Sequence, residues 1–177
     1  MNQANQASRG NYGKFFAMIG TAMVLMYLLT YLNSYDILGH AWFSETRLFM
    51  TLIMGASMTL VMFGFMRIYY TNRNGIIAIV IGALLMLALA LFLVRSQATV
   101  TDVDFMEGMI PHHSIAILTS NNSQIEDARV RELADAIIAA QVREIKEMEW
   151  LIEDIRANGI VENADTRPVP EFSGELE

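Results

Sequence analysis

The sequence predicts an all-α membrane protein, three transmembrane helices followed by an extramembrane helical hairpin, and three observations predict it. Of the 177 residues, 54% are hydrophobic and mean hydropathy is positive, too apolar for a soluble domain of this length. The apolar residues fall in three runs free of charged side chains, from Phe15 to about Leu32, from Leu48 to Met66 and from Ile76 to Val94. Beyond them the chain turns acidic and takes up a helical apolar period.

At a rise of roughly 1.5 Å per residue, runs of about 18 to 20 residues cross a hydrocarbon core of roughly 30 Å. The transmembrane region is therefore expected over 15–95, with spans at about 15–33, 47–68 and 76–95. The first run follows Arg9 and Lys14 as in a signal peptide, but no small-x-small cleavage site follows it, so it reads as a retained signal anchor. Arg9 and Lys14 before the first span, and Arg67 and Arg73 in the second turn, outweigh the segment Asp36 to Thr46, which has no Lys or Arg. Residues 1–14 are thus expected in the cytoplasm and the C-terminal part outside. In a bacterium this is a multi-pass inner-membrane protein with a periplasmic or extracellular domain. Arg95 runs against the charge bias, while Tyr31, Tyr35, Trp42 and Phe43 suit the outer interface and Tyr69 and Tyr70 the inner one.

Charge separates the two parts. Residues 1–100 carry six Lys and Arg against two Asp and Glu, and residues 101–177 carry six against seventeen. So acidic a domain has no clustered cations for phosphate, which excludes nucleic acid as a partner and leaves the lipid bilayer. Without cysteine, neither a disulfide framework nor a thiolate cage forms.

The outer hairpin is expected over 101–158. Thr101 or Asp102 caps a helix running to about Ser120, with a kink or restart at Pro111. Asn121-Asn122-Ser123 forms the turn, and a second helix runs from Glu126 or Asp127 to Asn158, where Gly159 stops it. Its apolar stripe passes through Val130, Ala134, Ile137, Leu151 and Ile155, and steps of three and four put Gln141, Glu144 and Met148 on that stripe. A carboxylate and an amide facing a core are costly unless paired or ligating. Residues 159–177, acidic and with Pro168 and Pro170, read as a disordered tail.

The chemistry concentrates where Met106, Met109, His112 and His113 occupy successive turns of the first outer helix, facing Gln141, Glu144 and Met148 in an antiparallel hairpin. Thioethers favour Cu(I) or Ag(I), imidazole suits copper and zinc, and a lone carboxylate accepts harder ions, so copper is the ion all three tolerate. Silver and zinc follow. Asp102, Asp104 and His40 are possible accessory ligands. The same residues also suit a hydrogen-bonded core, with His112 and His113 against Glu144 and Gln141 and no ion, and chemistry alone does not choose between the two. Glu-x-x-His pairs of a di-iron centre are absent. No nucleophile beside a base, Gly-rich phosphate loop or three-ligand zinc signature is present, so the sequence is not read as an enzyme.

At these residues the sequence resembles the bacterial family called domain of unknown function 305. The resemblance rests on Phe105-Met106-Glu107-Gly108-Met109, His112-His113 and Gln141-Val142-Arg143-Glu144-Ile145-Lys146-Glu147-Met148, led by Asp102 or Asp104, and covers about residues 101–156. It implies a ferritin-like helical bundle, an envelope location and copper or silver handling, and favours His112, His113, Met109 and Met106 as ligands. Many members have two hairpins where this chain has one, and Leu118 stands where many carry a methionine. A single hairpin has little core, so it is expected to be a half bundle completed by homo-oligomerisation, or to pack on the first outer loop.

Three functions follow as expectations: a membrane-anchored envelope protein that binds copper or silver for sequestration or homeostasis, a metal-transport component, and a non-metal structural or interaction subunit. Transport would use Met50, Met54, Met58, Met62 and Met66 of the second span. Steps of four advance about 40° each, so five methionines fan over about 160° and fit packing better than one narrow path.

Overall fold

The computed structural model describes residues 11–176, all helix and loop with no strand among them. Five α-helices follow in order: α1 (Tyr12–Leu29), α2 (Glu45–Met66), α3 (Arg73–Ser96), α4 (Asp102–Asn122) and α5 (Ala128–Asn158). Tyr12–Leu29, Glu45–Tyr69 and Arg73–Ser96 are long and apolar enough to cross a membrane. The helix ends depart by a few residues from the spans read in the sequence, because local caps set them. Asn72 starts α3 by accepting from the amides of Asn74 at 3.1 Å and Gly75 at 3.3 Å, and Gln97 ends it in the left-handed region at φ 52°. Arg9, used for the orientation, and residues 1–10 generally lie outside the described residues.

The chain divides into two compact units. The first holds α1, α2 and α3. Its core joins Phe15, Ile19, Phe63, Tyr70 and Ile79, with edge-on Phe15 and Phe63 rings 5.8 Å apart. Gly55 of α2 lies so close to Met23 of α1 that a side chain there would overlap the thioether. The buried hydroxyls of Thr51 and Thr59 donate to carbonyls one turn back, at 2.9 and 2.8 Å, which satisfies them inside the bundle.

The second unit comprises residues 30–45 and the chain from Val100 onward. A capping box starts α4: the Asp104 amide donates to the Thr101 hydroxyl oxygen at 3.3 Å and the Thr101 amide to Asp104 Oδ2 at 3.1 Å. The helix is continuous through Pro111 instead of restarting there, since a missing amide costs one hydrogen bond, to the Glu107 carbonyl, and flanking turns hold the rest. Asp127 caps α5, whose end is Gly159 at φ 79°. Contacts of Glu107 with Arg156, His113 with Glu144, and Ser120 with Arg131 fix α4 and α5 as antiparallel.

The buried face of α5 shares Ala134 and Met148 with the stripe expected but is otherwise shifted, with Leu151 and Ile155 at its margin. Ala134, Val142, Ile145, Met148 and Ile152 are buried and pack with Met106, Ile110 and Ile117 of α4, whereas Val130 is 48% exposed. The face is turned by about one residue, some 100° of helix. Gln141 and Glu144 therefore sit at its edge, partly exposed, and the expectation of a carboxylate and an amide within a core is corrected.

Residues 30–45 cover α4. The Tyr35 amide donates to Ser114 Oγ at 2.8 Å, His40 Nδ1 lies 2.8 Å from the same oxygen, and Trp42 packs against the core. This segment supplies core that a lone hairpin lacks. The tail runs back along α5: Arg167 pairs with Asp154, Gly174 meets the Ala139 backbone too closely for any side chain, and Lys146 Nζ donates to the Glu175 carbonyl at 3.3 Å.

Candidate functional site

The site is centred on His113, buried on α4. Its Nδ1 lies 2.9 Å from the Met109 carbonyl oxygen one turn back, and its Nε2 lies 2.8 Å from Glu144 Oε2 on α5. A carbonyl only accepts, so Nδ1 carries a proton. That fixes the ring with Nε2 facing Glu144 Oε2, and at 2.8 Å a proton lies between the two. An ion displacing that proton would take the Nε2 lone pair, and the backbone carbonyl behind Nδ1 is the usual outer partner of a ligating imidazole. His113 has 11% of its side chain exposed against 44% for Glu144, so the buried ring meets a carboxylate that solvent or an ion can reach.

The other residues read in the sequence divide. Met109 lies one turn before His113, is partly buried and packs at the edge of the core, so its thioether belongs to the same helix face. Met106 and Met148 are buried in the apolar cluster with Ile110, Ile145 and Ile152, where flexible thioethers fill space. Gln141 stands partly exposed one turn before Glu144. His112 is exposed, its ring centroid 6.1 Å from that of His113 and the planes at 73°, because adjacent helix positions diverge by about 100°. The divergence leaves His113 fully on this face and His112 only at its flank. Asp102 is exposed in the first turn, and Asp104 serves the cap. His40 contacts Ser114 instead of the His113 pair. Among the described residues no three His, Asp or Glu side chains form a group able to hold a metal, so an ion at His113 would need a thioether or solvent to complete its shell.

The methionines of α2 occupy two environments. Met50 and Met54 are 47% and 38% exposed, while Met58, Met62 and Met66 pack against the core of the first unit.

Sequence reasoning missed two contacts. Glu107, buried on α4, pairs with Arg156, whose guanidinium also lies 5.9 Å from the Trp42 ring centre. Ser114, wholly buried, anchors Tyr35 and His40. Glu107 and Arg156 carried a legible signal, opposite charges at matching depth in an antiparallel hairpin. Ser114 carried none. A Ser and a His within hydrogen-bond distance suggest a nucleophile, but Ser114 is fully buried and already accepts from Tyr35, so no substrate reaches it.

Residues 93–167 match the family described as Domain of unknown function (DUF305). The matched stretch takes in the hairpin with its flanks and leaves α1 and α2 outside it. The chain is also similar to Uncharacterized protein L153 of Acanthamoeba polyphaga mimivirus, at 38% identity over 65 residues, 36% of this chain and 43% of that protein. The chain thus spans less than half the length of this relative. No solved structure matches. Neither description names an activity.

Proposed function

We propose that this is a membrane-anchored metal-binding protein whose outer hairpin holds copper, as Cu(I), or silver for sequestration or homeostasis. The observation that carries the reading is the locked imidazole: Nδ1 bonded to the Met109 carbonyl and Nε2 aimed at Glu144. His113 Nε2 is the primary ligand, with Glu144 and the Met109 thioether as the neighbours able to join it, and exposed His112 as a further donor at the surface. One imidazole with a thioether favours a soft monovalent ion over zinc, for which too few imidazole and carboxylate donors converge. The charge bias of the loops supports a cytoplasmic N-terminus and a periplasmic or extracellular hairpin in a bacterial inner membrane.

Titration of the detergent-purified protein with Cu(I), Ag(I) and Zn(II) tests this. Stoichiometric uptake of Cu(I) and Ag(I), tighter than Zn(II), is expected. No stoichiometric uptake of any ion would make the His113–Glu144 contact a core hydrogen bond and the protein a structural or interaction subunit.

A further inference from the structure

The outer unit contains a cavity of about 300 Å³ made by residues other than those of the metal site. Its floor is apolar, from Ile117 of α4 and Val142 and Ile145 of α5, all buried. Three groups give it polarity. Glu149 of α5 is partly buried, yet its carboxylate makes no hydrogen bond or ion pair among the described residues. His40 spends Nδ1 on Ser114, and its Nε2 makes no hydrogen bond among the described residues. Asp36 stands at the exposed mouth, with Oδ1 held by the amides of Leu38 at 3.0 Å and Gly39 at 2.8 Å. Lys146, the cation of the lining, donates to the tail at the Glu175 carbonyl.

A partly buried carboxylate without a donor, a ring nitrogen without a partner and an apolar floor together describe a ligand with a cationic hydrogen-bond donor and an apolar body. We propose that this cavity binds a small organic ammonium compound, its head group donating to Glu149 and to Asp36 or His40 Nε2 and its hydrocarbon resting on Ile117, Val142 and Ile145. An anion is opposed by the two carboxylates. A divalent metal is opposed by the lack of three converging His, Asp or Glu ligands among the described residues. Burial, with the charges of Glu153 and Asp36, pushes the Glu149 carboxyl up despite the opposing charge of Lys146, and a bound cation would relieve that penalty. The tail forms one wall through Glu175 and Leu176, and Gly174 lets it lie against the Ala139 backbone.

The test is calorimetric titration of the detergent-purified full chain, in chelator so that no metal takes part, with benzylamine and with its uncharged analogue benzyl alcohol. The amine is expected to bind saturably and at least about tenfold tighter than the alcohol, since charge-assisted hydrogen bonds are the strong ones. Glu149→Gln should abolish that preference with the helical circular dichroism unchanged, whereas His113→Ala should leave it intact. Asp36→Asn, exposed and able to keep its turn, should weaken amine binding and serves if Glu149→Gln fails to fold. Absence of saturable amine binding, equal binding of amine and alcohol, or an unchanged preference in the folded variants would overturn the proposal.

Discussion

His113 Nε2 lies 2.8 Å from Glu144 Oε2 while Nδ1 of the same ring lies 2.9 Å from the Met109 carbonyl. A buried imidazole held at both nitrogens is a fixed group, and the single partner that can be exchanged is the more exposed one, Glu144.

Glu144→Ala removes that partner and leaves a buried ring nitrogen to water or nothing. The expected loss is about 1 kcal/mol of stability, with a smaller loss for Glu144→Gln, which can still hydrogen-bond. Thermal unfolding of the metal-free protein in detergent measures both. An alanine variant as stable as the parent would show that the contact is incidental.

Ile110 and Ile152 are wholly buried between α4 and α5. Replacing either by alanine should cost about 2–5 kcal/mol, by lost burial and the cavity left behind. Val130→Ala, on the exposed side, should fall within about 0.5 kcal/mol of the parent. Equal effects at the two kinds of site would contradict the rotated face of α5.

Thr101 and Asp104 satisfy each other's amides at the start of α4. Thr101→Ala should cost about 1 kcal/mol and increase amide hydrogen exchange over the first turn. Unchanged exchange would mean that packing alone holds that end.

Two groups of the second unit give opposing pH dependences. Burial holds the His40 imidazole below its ordinary value, so the unfolded chain binds the proton more readily, and this group's contribution is lost as pH falls through about 6.5. Burial raises the Glu149 carboxyl, so the folded state binds the proton more readily, and stability falls as pH rises from the ordinary carboxylate range to the raised value. His40→Gln should therefore flatten the melting temperature between about pH 5 and 7, and Glu149→Gln should gain more at pH 7 than at pH 4. Melting curves of the two variants across this range check both signs; parallel curves would contradict them.

The helices were legible because their signals are local. Three uncharged apolar runs, Asp127 as a cap and Gly159 as a stop depend on a few neighbouring residues each. The face of α5 was not, because Ile137, Leu151 and Ile155 form one apolar row and Val142, Ile145 and Ile152 another beside it. Which is buried depends on α4, and Ile110 and Ile117 choose the second. The docking of residues 30–45 rests on Ser114, more than seventy residues away in sequence, and a serine in a helix has no pattern that announces such a contact. At the site, the positions of His113 and Glu144 and the divergence of His112 follow from helix spacing, but the burial of Met106 and the edge positions of Gln141 and Glu144 emerged only with the packing.

Cu(I) affinity measured by competition with a chromogenic chelator, for the parent, His113→Ala and His112→Ala, addresses the central claim most directly. His113→Ala should lose at least about 100-fold in affinity while keeping its helical circular dichroism, and His112→Ala should lose far less. Cu(I) affinity unchanged in a folded His113→Ala variant would contradict a metal centre at His113.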